Sequence, residues 1–169
     1  MEFIIADASS LILSEKSGLL DAIVKEHRIL IPEEVHREAV LKGKERGSPD
    51  AHTLGDKIEA DLIQINKIKN SQLVKKMMSD FGMAMGETEA IVLFLEQKAS
   101  FVMVDDHKAI NACKAHKVPF MTTLALALMA LKERNVTPKT AKDIIKCLAA
   151  HGRYKSEMIL RAMQEVQNG

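Results

Sequence analysis

Five short apolar runs, most followed by a stretch with helical spacing, leave this chain few ways to fold. They are FIIA at 3–6, RILI at 28–31, LIQI at 62–65, FVMV at 101–104 and VPFM at 118–121. Runs of four residues rich in Ile, Val and Leu suit strands buried on both faces. Residues 1–5 open straight into the first of them, without the basic flank and long apolar stretch of a leader. Helical spacing is expected after Asp7-Ala8-Ser9-Ser10, whose side chains suit a helix start, and again at 19–24, 33–41, 51–59, 71–79, 87–97, 107–116 and 123–133. The charged segment KGKERGSPD at 42–50 and the Gly-bounded segment 81–86 are expected as loops. Alternating strands and helices predict a three-layer α/β/α fold around a parallel sheet of four to five strands, joined by right-handed crossovers. Two further amphipathic helices, at 137–150 and 156–166, are expected as a helical hairpin. They bury too little alone, so residues 1–136 are expected as the domain and 137–169 as an extension packed on it.

In such sheets ligands collect outside the carboxyl ends of the strands. Asp7 ends the first run, and Asp105-Asp106 end the fourth. A carboxylate directly after a buried strand is costly unless something satisfies it. Capping the next helix is one way, and Asp favours that position. Two helices bring more acids toward the same edge. In PEEVHRE, Glu38 stands three residues after Val35 and shares its inward face. In GETEAI, Glu87 and Glu89 stand in the first turn of an apolar helix, where the helix dipole accounts for one of them. Clustered carboxylates raise one another's pKa unless a cation lies among them. Oxygen-rich sites suit Mg²⁺ or Mn²⁺, which polarise phosphoryl oxygens and lower the pKa of bound water. The chemistry indicated is phosphodiester hydrolysis.

Other site chemistries find less support. Gly82 and Gly86 make neither a P-loop nor a dinucleotide fingerprint. The six His lack repeated ligand spacing, and Cys113 and Cys147 are not spaced as a zinc pair. Two free thiols fit a reducing cytoplasm, the expected location. No eighteen-residue apolar run is present, so no membrane span is expected. With no Trp and a single Tyr, aromatic base-stacking is not the expected mode of nucleic-acid contact. Net charge is +1, yet residues 132–169 carry eight Lys/Arg against four Asp/Glu. A basic tail beside an acidic body suits a metal site with a polyanion nearby; a solvated helical surface has the same composition.

The ordered set IIADASSLI, IPEEVHREAV, GETEAI and VMVDDHKA resembles the four acidic stations of PIN domains. The stretch PFMTTLALALMALKERNVTP, with LAAHGRYKSEMILRAMQEV after it, is similar to the C-terminal part of a prokaryotic PIN-like subfamily, so the resemblance covers nearly the whole chain. It implies a metal-dependent ribonuclease acting on single-stranded RNA, often the toxin of a toxin–antitoxin pair. An antitoxin protein and a homodimer are the expected protein partners. It also implies that Asp7, Glu38, an acid of the 86–89 segment and one of the Asp105-Asp106 pair hold Mg²⁺ or Mn²⁺. Glu89 is preferred over Glu87 because Glu89-Ala90-Ile91 resembles the family's helix start. Asp106 is preferred over Asp105, and Ser9 can add a hydroxyl beside Asp7. Where the subfamily has a glycine-containing turn, this chain has Met121-Thr122-Thr123, and a threonine there can cap the helix or touch metal or phosphate.

Overall fold

A computed structural model describes residues 2–168. Met1, read above as part of the first strand, and Gly169, the end of the expected extension, lie outside the described residues. The chain runs β1 (Glu2–Ala6), α1 (Ala8–Lys16), α2 (Leu19–Glu26), β2 (His27–Pro32) and α3 (Glu33–His36). A π-type segment, Arg37–Leu41, leads directly into α4 (Lys42–Glu45), followed by α5 (Pro49–Glu59) and β3 (Ile63–Asn66). Then come α6 (Ser71–Phe81), α7 (Met85–Glu96), β4 (Val102–Met103), α8 (His107–Ala115), β5 (Phe120–Met121), α9 (Thr123–Lys132), α10 (Pro138–His151) and α11 (Ser156–Asn168).

The five strands form one parallel sheet in the order β3-β2-β1-β4-β5. Side-chain alternation explains why the inner parts of the central strands are apolar on both faces. Ile4, Ala6, Ile29, Ile31 and Met103 enter one buried cluster, with side chains of α1, α2, α5, α9, α10 and α11. Ile5, Leu30, Val102 and Val104 enter the other, under α6, α7 and α8. A strand covered on both faces has no polar side to show. From α10 and α11, Ala141, Ile144, Ile145, Leu148, Ala162 and Val166 are buried in the first cluster. Among the described residues no helix is long and apolar enough to cross a membrane.

The loop expected over 42–50 is shorter than its composition suggests. The helix continues through the π-type segment to Glu45, because Ala39 and Val40 are buried and carry it along the core. Gly43 acts there as a contact residue and not as a breaker. A Cβ on it would stand 2.6 Å from the Cβ of Ala51, so only glycine lets α4 and α5 approach this closely. The turn falls instead at Gly47, at φ +70°. Likewise α6 runs on to Phe81 and α7 begins at Met85, which leaves only residues 82–84 of the expected 81–86 loop.

The sheet order reverses between β1 and β4, which pair as Ile5 with Val102 and Ala6 with Met103. Asp7 therefore leaves β1 beside the residues that leave β4, and its amide donates to the Met103 carbonyl at 3.3 Å. This is the topological switch point where open α/β sheets bind their ligands.

Candidate functional site

Asp7 is fully buried at the start of α1. Its Oδ1 accepts from the Ser10 amide at 2.8 Å and the Ser9 hydroxyl at 3.2 Å. Its Oδ2 is buried and has no hydrogen-bond partner. The capping role weighed from sequence is thus real, but it occupies only half of the carboxylate. Burial pushes the Asp7 carboxyl up to about 7; the Ser10 amide pulls it down, and the charges of Asp105 and Glu87 add to the rise. Behind it, Cys113 is pushed up to about 12 by burial and then by the Asp7 charge, so it remains a neutral thiol.

The two aspartates after β4 have separate duties. Asp105 accepts from the Thr123 amide at 2.8 Å and the Thr123 hydroxyl at 2.5 Å, and also from the Tyr154 hydroxyl. Asp106 caps α8, its Oδ1 accepting from the Lys108 amide at 2.8 Å. The neighbouring threonines divide similarly, since Thr122 caps α9 through the Ala125 amide at 3.2 Å while Thr123 holds Asp105. Asn caps about as well as Asp, and Ala does not cap. Asp106→Asn should therefore leave stability nearly unchanged while Asp106→Ala loses about 1 kcal/mol. Urea melts of both variants check this, and equal losses would show that the charge, not the cap, matters for folding.

The acids of α7 point to different neighbours. Glu87 Oε2 accepts from the Ala84 amide at 3.1 Å, closing the start of the helix. Burial raises the Glu87 carboxyl and Asp106 adds to the rise, while the Ala84 amide, Lys108 and Arg153 oppose it. Glu89 Oε2 instead accepts from the Glu34 amide at 3.4 Å, at the start of α3. Burial raises Glu89 as well, with the Glu34 and Glu33 charges contributing. Glu38, on the π-type segment, is half-buried against Gly86, where a Cβ would stand 3.1 Å from its Oε2. It is raised by burial and then by Glu34, whose own carboxyl is lowered mainly by its bond to Arg37.

The six acids picked from sequence therefore fall into two groups. Asp7, Glu87, Asp105 and Asp106 act on one another at the switch point. Glu38 and Glu89 gather with Glu33 and Glu34 around the start of α3. Among the described residues no three acidic, His or Cys side chains converge into a ready-made metal cage. Beside the first group opens a cleft of about 610 Å³, lined by Ser9, Lys16, Glu87, Asp105, Asp106 and Arg153, among others. That volume is in the range of small-ligand pockets. Tyr154 and Arg153 were not picked as site residues. Their one local signal is the segment HGRY, which holds the chain's single tyrosine two residues after a glycine.

One protein-family model matches the chain over residues 3–168; the family is DUF3368, described as a PIN domain. No curated protein matches the chain.

Proposed function

Because the chain belongs to the PIN-domain family, whose members generally have a nuclease fold, we propose that it is a metal-dependent endonuclease cutting single-stranded RNA. The observation that carries this is Asp7. A fully buried carboxylate with one oxygen unpartnered, facing the charges of Glu87 and Asp105, is a costly arrangement. A divalent cation would relieve it.

The donors fit a hard cation, since all are carboxylate oxygens. Mg²⁺ is usually held by one or two carboxylates with waters and substrate phosphate, so the lack of a three-acid cage is compatible with it. Asp7 and Glu87 would hold the ion, with Asp106 on the wall of the same cleft. Mg²⁺ or Mn²⁺, when bound, supplies a Lewis acid for the phosphoryl oxygen and acidifies a bound water. Asp105, its oxygens held by Thr123 and Tyr154, fixes the turn that carries Asp106. Glu87 keeps Oε1 available for an ion or for the proton of an attacking water, because Ala84 occupies only Oε2. Burial raises the Glu87 carboxyl above its ordinary value, which strengthens it as a proton acceptor.

Purified protein incubated with single-stranded RNA should cleave it with added Mn²⁺ and not in EDTA. Cleavage that persists in EDTA, or no binding of Mn²⁺ at millimolar concentration, removes the proposal. A second reading, a non-catalytic module that binds nucleic acid or protein, draws on the separation of the acids into two groups. It predicts RNA or protein binding without cleavage in the same assay.

A further inference from the structure

The segment between α10 and α11 reaches the cleft from the far end of the sequence. It is fastened there by Tyr154, whose hydroxyl donates to Asp105 Oδ1 and accepts from the Leu124 amide at 3.1 Å. Burial and the Asp105 charge raise the phenol, so it stays protonated and able to donate. The turn is tight. A Cβ on Gly152 would stand 2.7 Å from the Leu148 carbonyl oxygen and 2.9 Å from the Tyr154 ring, so glycine is required at that point.

This anchoring places Arg153 on the wall of the cleft, exposed, with its charge felt by Glu87. Arg153 has no salt bridge among the described residues, whereas Lys16, on the same cleft, is engaged by Asp50 at 3.5 Å. A phosphodiester entering a cleft walled by Glu87, Asp105 and Asp106 meets repulsion. An uncommitted guanidinium beside those acids offsets it. Its planar fork also matches phosphate oxygens two at a time, which a lysine cannot do.

We propose that Arg153 is a phosphate-binding residue of this cleft, and that Tyr154 is the positioning residue that holds it there through Asp105. The proposal rests on the RNA-cleaving reading for its substrate class, and binding tests it separately from chemistry.

The probe is a fluorescein-labelled oligouridylate, titrated by anisotropy against the full chain at several salt concentrations, in EDTA and in Mn²⁺. Arg153→Ala should weaken binding about tenfold, equivalent to about 1.4 kcal/mol. It should also reduce the salt slope by about 0.7, the value for one phosphate contact on a single strand. The loss should be alike in both buffers, with Mn²⁺ affinity not reduced. Arg153→Lys should restore the salt slope but only part of the affinity. Tyr154→Phe should weaken RNA binding although Arg153 remains, and circular dichroism will report that the chain is folded.

Wild-type affinity and slope in Arg153→Ala would overturn the phosphate role, even if the protein cuts RNA. Unchanged binding in Tyr154→Phe would overturn the positioning role. Arg153-dependent binding without any cleavage would keep this proposal and remove the nuclease reading. A wild type that neither binds nor cuts RNA would remove both.

Discussion

Asp7→Asn should lose Mn²⁺-dependent cleavage of single-stranded RNA by about 10³-fold, the upper end of what one preorganised electrostatic contact contributes, and should melt higher than wild type in EDTA. The two effects share one cause. Asn keeps an oxygen for the Ser10 amide, so the helix start survives. It removes the charge that makes the unpartnered side of the Asp7 carboxylate costly. Because the folded-state pKa of about 7 lies above the ordinary value of 3.8, the folded protein binds more protons than the unfolded chain between those values. Stability therefore falls as pH rises from about 4 to about 7 and then levels. Below about pH 4 Asp7 is protonated in both states and costs nothing.

The full penalty is roughly 4 kcal/mol at most, taking about 1.4 kcal/mol per pKa unit. Asp7→Asn should escape it. The gap between variant and wild type should be absent near pH 4 and largest above pH 7, where it is worth up to roughly 10 °C in Tm for a chain this long. Saturating Mn²⁺ should close the gap by stabilising wild type alone. Thermal melts at pH 4, 6 and 8, in EDTA and in Mn²⁺, measure all of this. A variant that melts like wild type at pH 8 in EDTA would show that Asp7 serves only as a helix cap.

The layering and the acidic carboxyl edge were readable because they rest on local patterns. Ile4-Ile5-Ala6 and Val102-Met103 have no polar side, which indicates strands covered on both faces, and the acids just beyond them mark the carboxyl edge. The pairing of β1 with β4 then sets Asp7 beside the Asp105-Asp106 pair. What escaped was set by contacts between distant segments. Gly43 looks like a loop residue until Ala51 is known to lie against it. The resemblance prefers Asp106 over Asp105, but no local pattern shows that Thr123 and Tyr154 occupy the Asp105 oxygens. Arg153 belongs to no periodic pattern, and it lines the cleft on a turn that Tyr154 fastens to Asp105 and the Leu124 amide.

The choice between Glu87 and Glu89 leads to the second large effect. Two residues apart on a helix means about 200° around its axis, so the pair faces different neighbours. Sequence resemblance favoured Glu89. In the fold, Glu87 lines the cleft with Asp105 and Asp106, while Glu89 reaches back to the Glu34 amide. Glu87→Gln should therefore lower cleavage by about 10²-fold or more and weaken Mn²⁺ binding. Glu89→Gln keeps an oxygen for the Glu34 amide and should stay within a few-fold of wild type in both. The amide also suits Glu87's other duty, since its oxygen can still accept from Ala84. A fall in cleavage would thus report the lost charge and not an unravelled helix start. The opposite pattern, with Glu89→Gln inactive and Glu87→Gln active, would move the metal centre to the acids around the start of α3. There Glu38 would become its companion and Asp7 a bystander.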